Sequence, residues 1–210
     1  MITLQQAFAA APIVAIIRGV RPDEVIAVAE ALYEGGVRVV EVPMNSPQPL
    51  ESIRRLSAMA GRMVWGAGTV LDEETADAVA DAGGQLVVSP NTDPRVIRRA
   101  LERGLVPMPG FGSASEAFTA IAAGARYLKL FPASTYGPEH VKALKAVLPP
   151  DVVVQPVGGV GPGSMAEWWV AGARGFGLGS DLYKPGRAPA EVRDRARAAV
   201  EAVHPLMAAG

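Results

Sequence analysis

The chain has 210 residues, half of them hydrophobic and a fifth charged, and a net charge of -1. That is enough for one well-packed core but short for two domains, and the near-zero charge gives no electrostatic reason to expect a nucleic-acid or anionic-membrane partner. The absence of cysteine excludes disulfides, a cysteine nucleophile and thiolate metal sites, and the two histidines, His140 and His204, lack ligand-like spacing.

The first stretch, "MITLQQAFAAAPIVAIIRGV", has early polar residues and Pro12. It predicts a short helix leading into a strand near 13–18 rather than a secretory leader, and no apolar span of 18 residues follows. The default expectation is a soluble cytoplasmic protein. After "RPDE" a helix is expected over 22–34, then a strand near 38–43 and another near 63–68. "LDEE" opens a helix over 72–82 before a strand near 85–89, and "TDP" opens one over 93–103 before a strand near 105–109. Further strands are expected near 126–131, 152–157 and 174–179, and a last helix over 189–204.

Five segments repeat one rhythm of helix, glycine, apolar strand and Pro- or Gly-marked stop, for example "EALYEGGVRVVEVP" and "AIAAGARYLKLFP". Glycine supplies the left-handed cap, and strands apolar on both faces belong to parallel sheets covered by helices. Eight such units in 210 residues average about 26 each, near the lower limit for a (β/α)8 TIM barrel. The expected fold is therefore α/β, a single small (β/α)8 barrel over 1–210 with a short N-terminal helix. The alternative, an open doubly wound sheet, lacks a "GxGxxG" opening a helix after the first strand.

Three charged residues interrupt these strands near their C-terminal ends: Arg18 in "IVAIIRG", Glu41 in "VVEVP" and Lys129 in "YLKLFP". Each alone is also explained by a structural ion pair. Together they suit a barrel mouth, where Glu41 and Lys129 can face one another. A lysine in such a pocket loses hydration, so its pKa falls and the neutral amine becomes a nucleophile for ketones, with a carboxylate to move protons. The other lysines (Lys142, Lys145 and Lys184) lie in helical or loop stretches.

Past the strand ends, "GAGTV" places Thr69 where it could hold a carboxylate. "VGGV" offers Gly158 and Gly159, and "GLGSD" offers Gly179 and Ser180, at the loops after the last two strands. Barrels often bind phosphate there, because glycine lets backbone N–H groups approach the oxygens.

"GAGTVL", "SPN", "LKLFPAS", "ALKAVLP", "VGGV" and "GLGSDLY" occur in this order between about Pro12 and Lys184. The set resembles the class I aldolases that cleave 2-keto-3-deoxy-6-phosphosugar acids. The resemblance implies a homotrimer of small barrels that needs no metal or other cofactor. It matches Lys129 to the Schiff-base lysine and Glu41 to the general acid/base. Thr69 matches the threonine near the pyruvate carboxylate, Pro90 and Phe131 match pocket-lining residues, and Gly158, Gly159, Gly179 and Ser180 match the phosphate loops. The implied reaction is a retro-aldol cleavage giving pyruvate and D-glyceraldehyde 3-phosphate.

The family has two branches that differ at C4 of the substrate. The gluconate branch resembles "EVTLRT" after the second strand, where this chain has "EVPMNSP" with Asn45 in the arginine's place and Arg18 on the first strand. It also carries a threonine where this chain has Val157. Both departures are similar to the 6-phosphogalactonate branch, with the gluconate epimer as the alternative substrate. The rival from another reaction class is a phosphosugar isomerase or epimerase working without a Schiff base, and a third is a non-catalytic phosphometabolite-binding barrel.

Overall fold

In the computed structural model, which describes residues 2–208, the first helix starts at Thr3. The Thr3 hydroxyl accepts the Gln6 N–H and the Gln6 side chain accepts the Thr3 N–H, a reciprocal cap that opens α1 (Leu4–Ala10). The strands are β1 (Ile13–Ile16), β2 (Val39–Pro43), β3 (Val64–Gly68), β4 (Leu86–Val88), β5 (Val106–Met108), β6 (Gly110–Phe111), β7 (Tyr127–Leu130), β8 (Val153–Pro156) and β9 (Phe176–Leu178). The other helices are α2 (Val25–Glu34), α3 (Pro49–Arg55), α4 (Glu73–Asp81), α5 (Pro94–Glu102), α6 (Ala114–Ala122), α7 (Ala133–Tyr136), α8 (Pro138–Lys145), α9 (Met165–Val170) and α10 (Pro189–Ala208). The acidic starts read from "LDEE" and "TDP" are real caps: Asp72 accepts the Thr75 N–H before α4, and Asp93 accepts the Arg95 N–H before α5.

The strands do not form the closed eight-stranded barrel that the rhythm predicts. They make a six-stranded parallel sheet, β5-β4-β3-β2-β1-β9, and a separate three-stranded sheet, β6-β7-β8. The expected strand over 105–109 is broken at Pro109, which has no N–H to donate. Before the break β5 pairs with β4; after it Gly110 and Phe111 pair with Lys129 and Leu130 of β7. At the break the Pro109 carbonyl accepts the Lys129 N–H at 2.9 Å, and the Thr92 hydroxyl donates to the Gly110 carbonyl at 2.7 Å. At the other seam Pro156 also lacks a donor, and a single bridge, Val157 to Gly177, lies outside the named strands.

Residues alternate faces along each strand, giving two cores. Outward-facing residues such as Ile13, Val40, Trp65 and Leu128 pack under the helices. Inward-facing Val14, Val39, Val64 and Leu86 form the lower layer of a second cluster, with Val106 and, from the smaller sheet, Tyr127 and Val153 packed against it. Helix α1 closes this layer from below with Leu4, Ala7 and Phe8, the Phe8 ring meeting Tyr127 edge-on at 5.5 Å. One step further along each strand lies the next inward layer: Ile16, Glu41, Val88, Met108, Lys129 and Gln155. The apolar lower layer is thus the floor on which the polar groups stand. First-strand pairing ends earlier than expected, so Arg18 lies two residues beyond β1 in the following turn.

Candidate active site

Glu41 lies in the middle of β2, level with Ile16 of β1 and Gly66 of β3. It is only 2% exposed, and its Oε2 has no hydrogen-bond partner. Space for the carboxylate exists because β3 ends in glycine: a Cβ at Gly68 would stand 1.8 Å from Oε2. Lys129, 8% exposed, lies on β7 level with Gly110 and Gln155. Glu41, Lys129 and Gln155 line one interior cavity of about 10 Å³, enough for about one water. Above it opens a wider pocket of about 190 Å³ that shares Ile16, Lys129, Val157 and Gly177 with it. Lys129 therefore stands between the buried acid and the open pocket.

Burial dominates the electrostatics. It pushes the Glu41 carboxyl up from 4.5 to about 7, against the downward pull of the Lys129 and Arg18 charges. It also lowers the Lys129 amine; Glu41 opposes this and Arg18 adds to it. The result is a carboxyl that can both give and take a proton near neutrality beside an amine biased toward its free-base form. The amine nitrogen lies over the Phe131 ring, 4.8 Å from its centre.

The wider pocket gathers Arg18, Thr69, Pro90, Phe131, Val157, Gly158, Gly159, Gly179 and Ser180 around Lys129. Asn45 is not among the lining residues; its Oδ1 accepts a hydrogen bond from Arg18 Nη1 and so orients the guanidinium. Thr69 has φ +59°, unusual for a β-branched residue. Its neighbours hold it there: the Gly68 carbonyl accepts the Met44 N–H at 2.8 Å and the Val70 N–H donates to the Val88 carbonyl at 3.2 Å. Gly158 and Gly159 have φ +94° and +77°, left-handed values that favour glycine, in a loop that lines the pocket. Among the described residues the N–H groups of Gly159, Ser180 and Asp181 donate to no protein acceptor.

Sequence reading missed three contributors. Gln155 is 3% exposed and reaches only the Met108 sulfur, at 3.8 Å; a polar residue inside "VVVQPV" was the same signal that singled out Lys129. Buried Ser46 accepts the Gly19 N–H at 2.9 Å, tying the turn that carries Arg18 to the turn that carries Asn45. Asp181 lines the pocket beside Ser180. Conversely, Phe131 was expected inside a buried strand and is 39% exposed, just past β7. Among the described residues no group of three or more His, Cys, Asp or Glu side chains is placed to hold a metal ion.

Residues 4–204 match the aldolase family described as KDPG and KHG aldolase. The chain is 48% identical over 192 residues to the 2-dehydro-3-deoxy-6-phosphogalactonate aldolase of Escherichia coli (strain K12), covering 91% of this chain and 94% of that protein. A solved native KDPGal structure superposes with a TM-score of 0.92 at 47% identity, covering 94% of this chain and 96% of that one. A KDPG aldolase from Legionella pneumophila, solved with pyruvate captured as a covalent carbinolamine, matches with a TM-score of 0.83 at 26% identity over 92% of this chain and 96% of that one. A buried amine beside a buried carboxyl, on this backbone and with these relatives, leads to one conclusion: the chain belongs to the KDPG and KHG aldolase family.

Proposed function

We propose that the protein cleaves 2-dehydro-3-deoxy-6-phosphogalactonate to pyruvate and D-glyceraldehyde 3-phosphate through a Schiff base on Lys129. The observation that carries this is the position of Lys129: buried, with its amine pKa lowered, and shared by the inner cavity that holds Glu41 and the outer pocket open to substrate. The free amine adds to the C2 ketone, and Glu41 supplies the proton that converts the carbinolamine oxygen into leaving water. The resulting iminium is the electron sink. As the C4 hydroxyl loses its proton to a base, the C3–C4 bond breaks and its electrons move into the enamine while the aldehyde leaves. Protonation at C3 and addition of water then release pyruvate and restore the amine.

Thr69 is assigned to the carboxylate end of the substrate, with Pro90 and Phe131 as walls. The unpaired N–H groups of the Gly158–Gly159 and Ser180 loops are assigned to the phosphate. The galactonate epimer is favoured over the gluconate one because Val157 lines the pocket without a hydroxyl and Arg18, oriented by Asn45, stands at its edge. The far higher identity to the galactonate aldolase than to the Legionella gluconate enzyme supports the same choice. A homotrimer working in the cytoplasm belongs to this reading. Exposed apolar side chains such as Val170 and Val147, 86% and 61% exposed, support self-association, and among the described residues no helix is long and apolar enough to cross a membrane.

The test has two parts. Borohydride reduction with pyruvate should leave a stable adduct on the Lys129 peptide, and its absence would remove the covalent mechanism in favour of an isomerase. Comparison of kcat/KM for the two C4 epimers should favour the galactonate form; equal or reversed preference would keep the aldolase but overturn the roles given to Arg18, Asn45 and Val157.

A further inference from the structure

Arg187 lies outside the pocket, yet its side chain is only 9% exposed. Its Nη1 donates to two carbonyls of the loop after β9, Ser180 O at 3.0 Å and Asp181 O at 3.2 Å. Its Nε faces Glu191 Oε1 at 3.2 Å, a carboxylate shared with Arg195 of α10, whose Nη1 also donates to Asp181 O at 3.2 Å; the Ser180 carbonyl is held by Arg187.

The consequence follows from peptide planarity. In a trans peptide the C=O and the next residue's N–H point in opposite directions. The Gly179 carbonyl is held by the Leu182 and Tyr183 N–H groups, both at 2.9 Å, which fixes the direction of the Ser180 N–H. The Ser180 carbonyl is held by Arg187, which fixes the direction of the Asp181 N–H. Neither of those two N–H groups has a protein acceptor among the described residues, and both residues line the pocket. The opposite loop is braced in the same manner without any side chain: the Ala133 and Ser134 N–H groups donate to the Val157 and Gly158 carbonyls at 2.8 and 3.0 Å. In the β9 loop arginine side chains do this instead: Arg187 on the Ser180 and Asp181 carbonyls, joined on Asp181 by Arg195 of α10.

We infer that Arg187 is a positioning residue for phosphate recognition, holding the Ser180–Asp181 peptide so that its N–H faces the phosphate of the substrate. The inference rests on the phosphate assignment above and names the device that makes one side of that site. It acts on substrate binding through the backbone and has no part in the chemistry at Lys129.

The experiment measures KM and kcat for 2-dehydro-3-deoxy-6-phosphogalactonate and for the same acid without its phosphate, in wild type, Arg187→Ala and Arg187→Lys. Rates of borohydride-trapped pyruvate adduct and thermal midpoints are recorded alongside. For Arg187→Ala, KM for the phosphorylated substrate should rise about ten-fold, the size expected when one charge-assisted hydrogen bond is lost. Its kcat, the trapping rate with pyruvate and kcat/KM for the unphosphorylated acid should stay at wild-type values. Arg187→Lys keeps the charge but cannot span both carbonyls and Glu191 together, so its KM should fall between the two; it also carries the test if the alanine variant does not fold. An unchanged KM in a wild-type background that prefers the phosphorylated acid overturns the role of Arg187 alone. Equal losses on both substrates mean a structural role only and overturn it as well. A wild-type enzyme indifferent to the phosphate overturns the underlying phosphate assignment.

Discussion

Replacing Glu41 by glutamine tests the electrostatic core of the site through stability rather than rate. The carboxyl is fully enclosed and has an orphaned oxygen, and burial pushes its pKa up from 4.5 to about 7. Because the folded-state value lies above the unfolded one, the native state holds this proton more tightly. The stability so contributed is complete below pH 4.5 and is lost as the pH rises through 7. At about 1.4 kcal/mol for each pH unit between those values, the ionised carboxylate costs the native state about 3 kcal/mol at pH 8. Glutamine has nearly the same shape and no charge to desolvate. Glu41→Gln should therefore melt about 6–12 °C above wild type at pH 8, with the gain vanishing near pH 4. Thermal midpoints at fixed protein concentration, taken as variant minus wild type across that range, check it. A difference that does not change with pH, or a glutamine variant less stable at pH 8, would refute the argument that burial governs Glu41.

Three further substitutions separate the parts of the site. Gly68→Ala should leave the fold intact but displace the Glu41 carboxylate, which a new Cβ would meet at 1.8 Å, lowering kcat about 100-fold as a roughly 1 Å misplacement does; a wild-type kcat would show that the carboxylate's position is unimportant. Lys129→Met should remove both turnover and the pyruvate adduct while raising the melting temperature, because a buried amine is exchanged for an apolar chain; intact-mass analysis after borohydride reads the first and calorimetry the second. Arg18→Ala should raise KM about ten-fold with little change in kcat, and an unchanged KM would reduce Arg18 to a partner of Asn45.

Much of the site was legible because charge inside an apolar strand is costly and therefore conspicuous. Glu41 and Lys129 were singled out on that ground, and Gln155, which carries the same signal, could have been. Glycines after the late strands marked loops that line the pocket, and Gly158 and Gly159 take the positive φ that favours glycine. The connectivity of the sheet was not legible in the same way. Hydrophobic rhythm places strands but says nothing of whether neighbouring ladders join, and the prolines in "LVPMPG" and "VVVQPV" interrupt pairing through a missing N–H that leaves the rhythm untouched. Arg187 was invisible for another reason. Its meaning depends on which carbonyls lie within reach, and an arginine in a Gly- and Pro-rich turn looks like any solvated charge.

The split between the two sheets passes between Glu41 and Lys129. Glu41 belongs to the larger sheet and Lys129 to the smaller, and the Lys129 N–H donates to the carbonyl of Pro109, which lies between the two sheets. The carboxyl and the amine are therefore registered to one another by contact across a boundary, not by a shared ladder. A small slip along that boundary changes their separation while every strand keeps its partners, so the chemistry is the first thing to feel a loosening of the interior and secondary structure is the last. The join between the two sheets therefore bears on how Glu41 and Lys129 stand to one another.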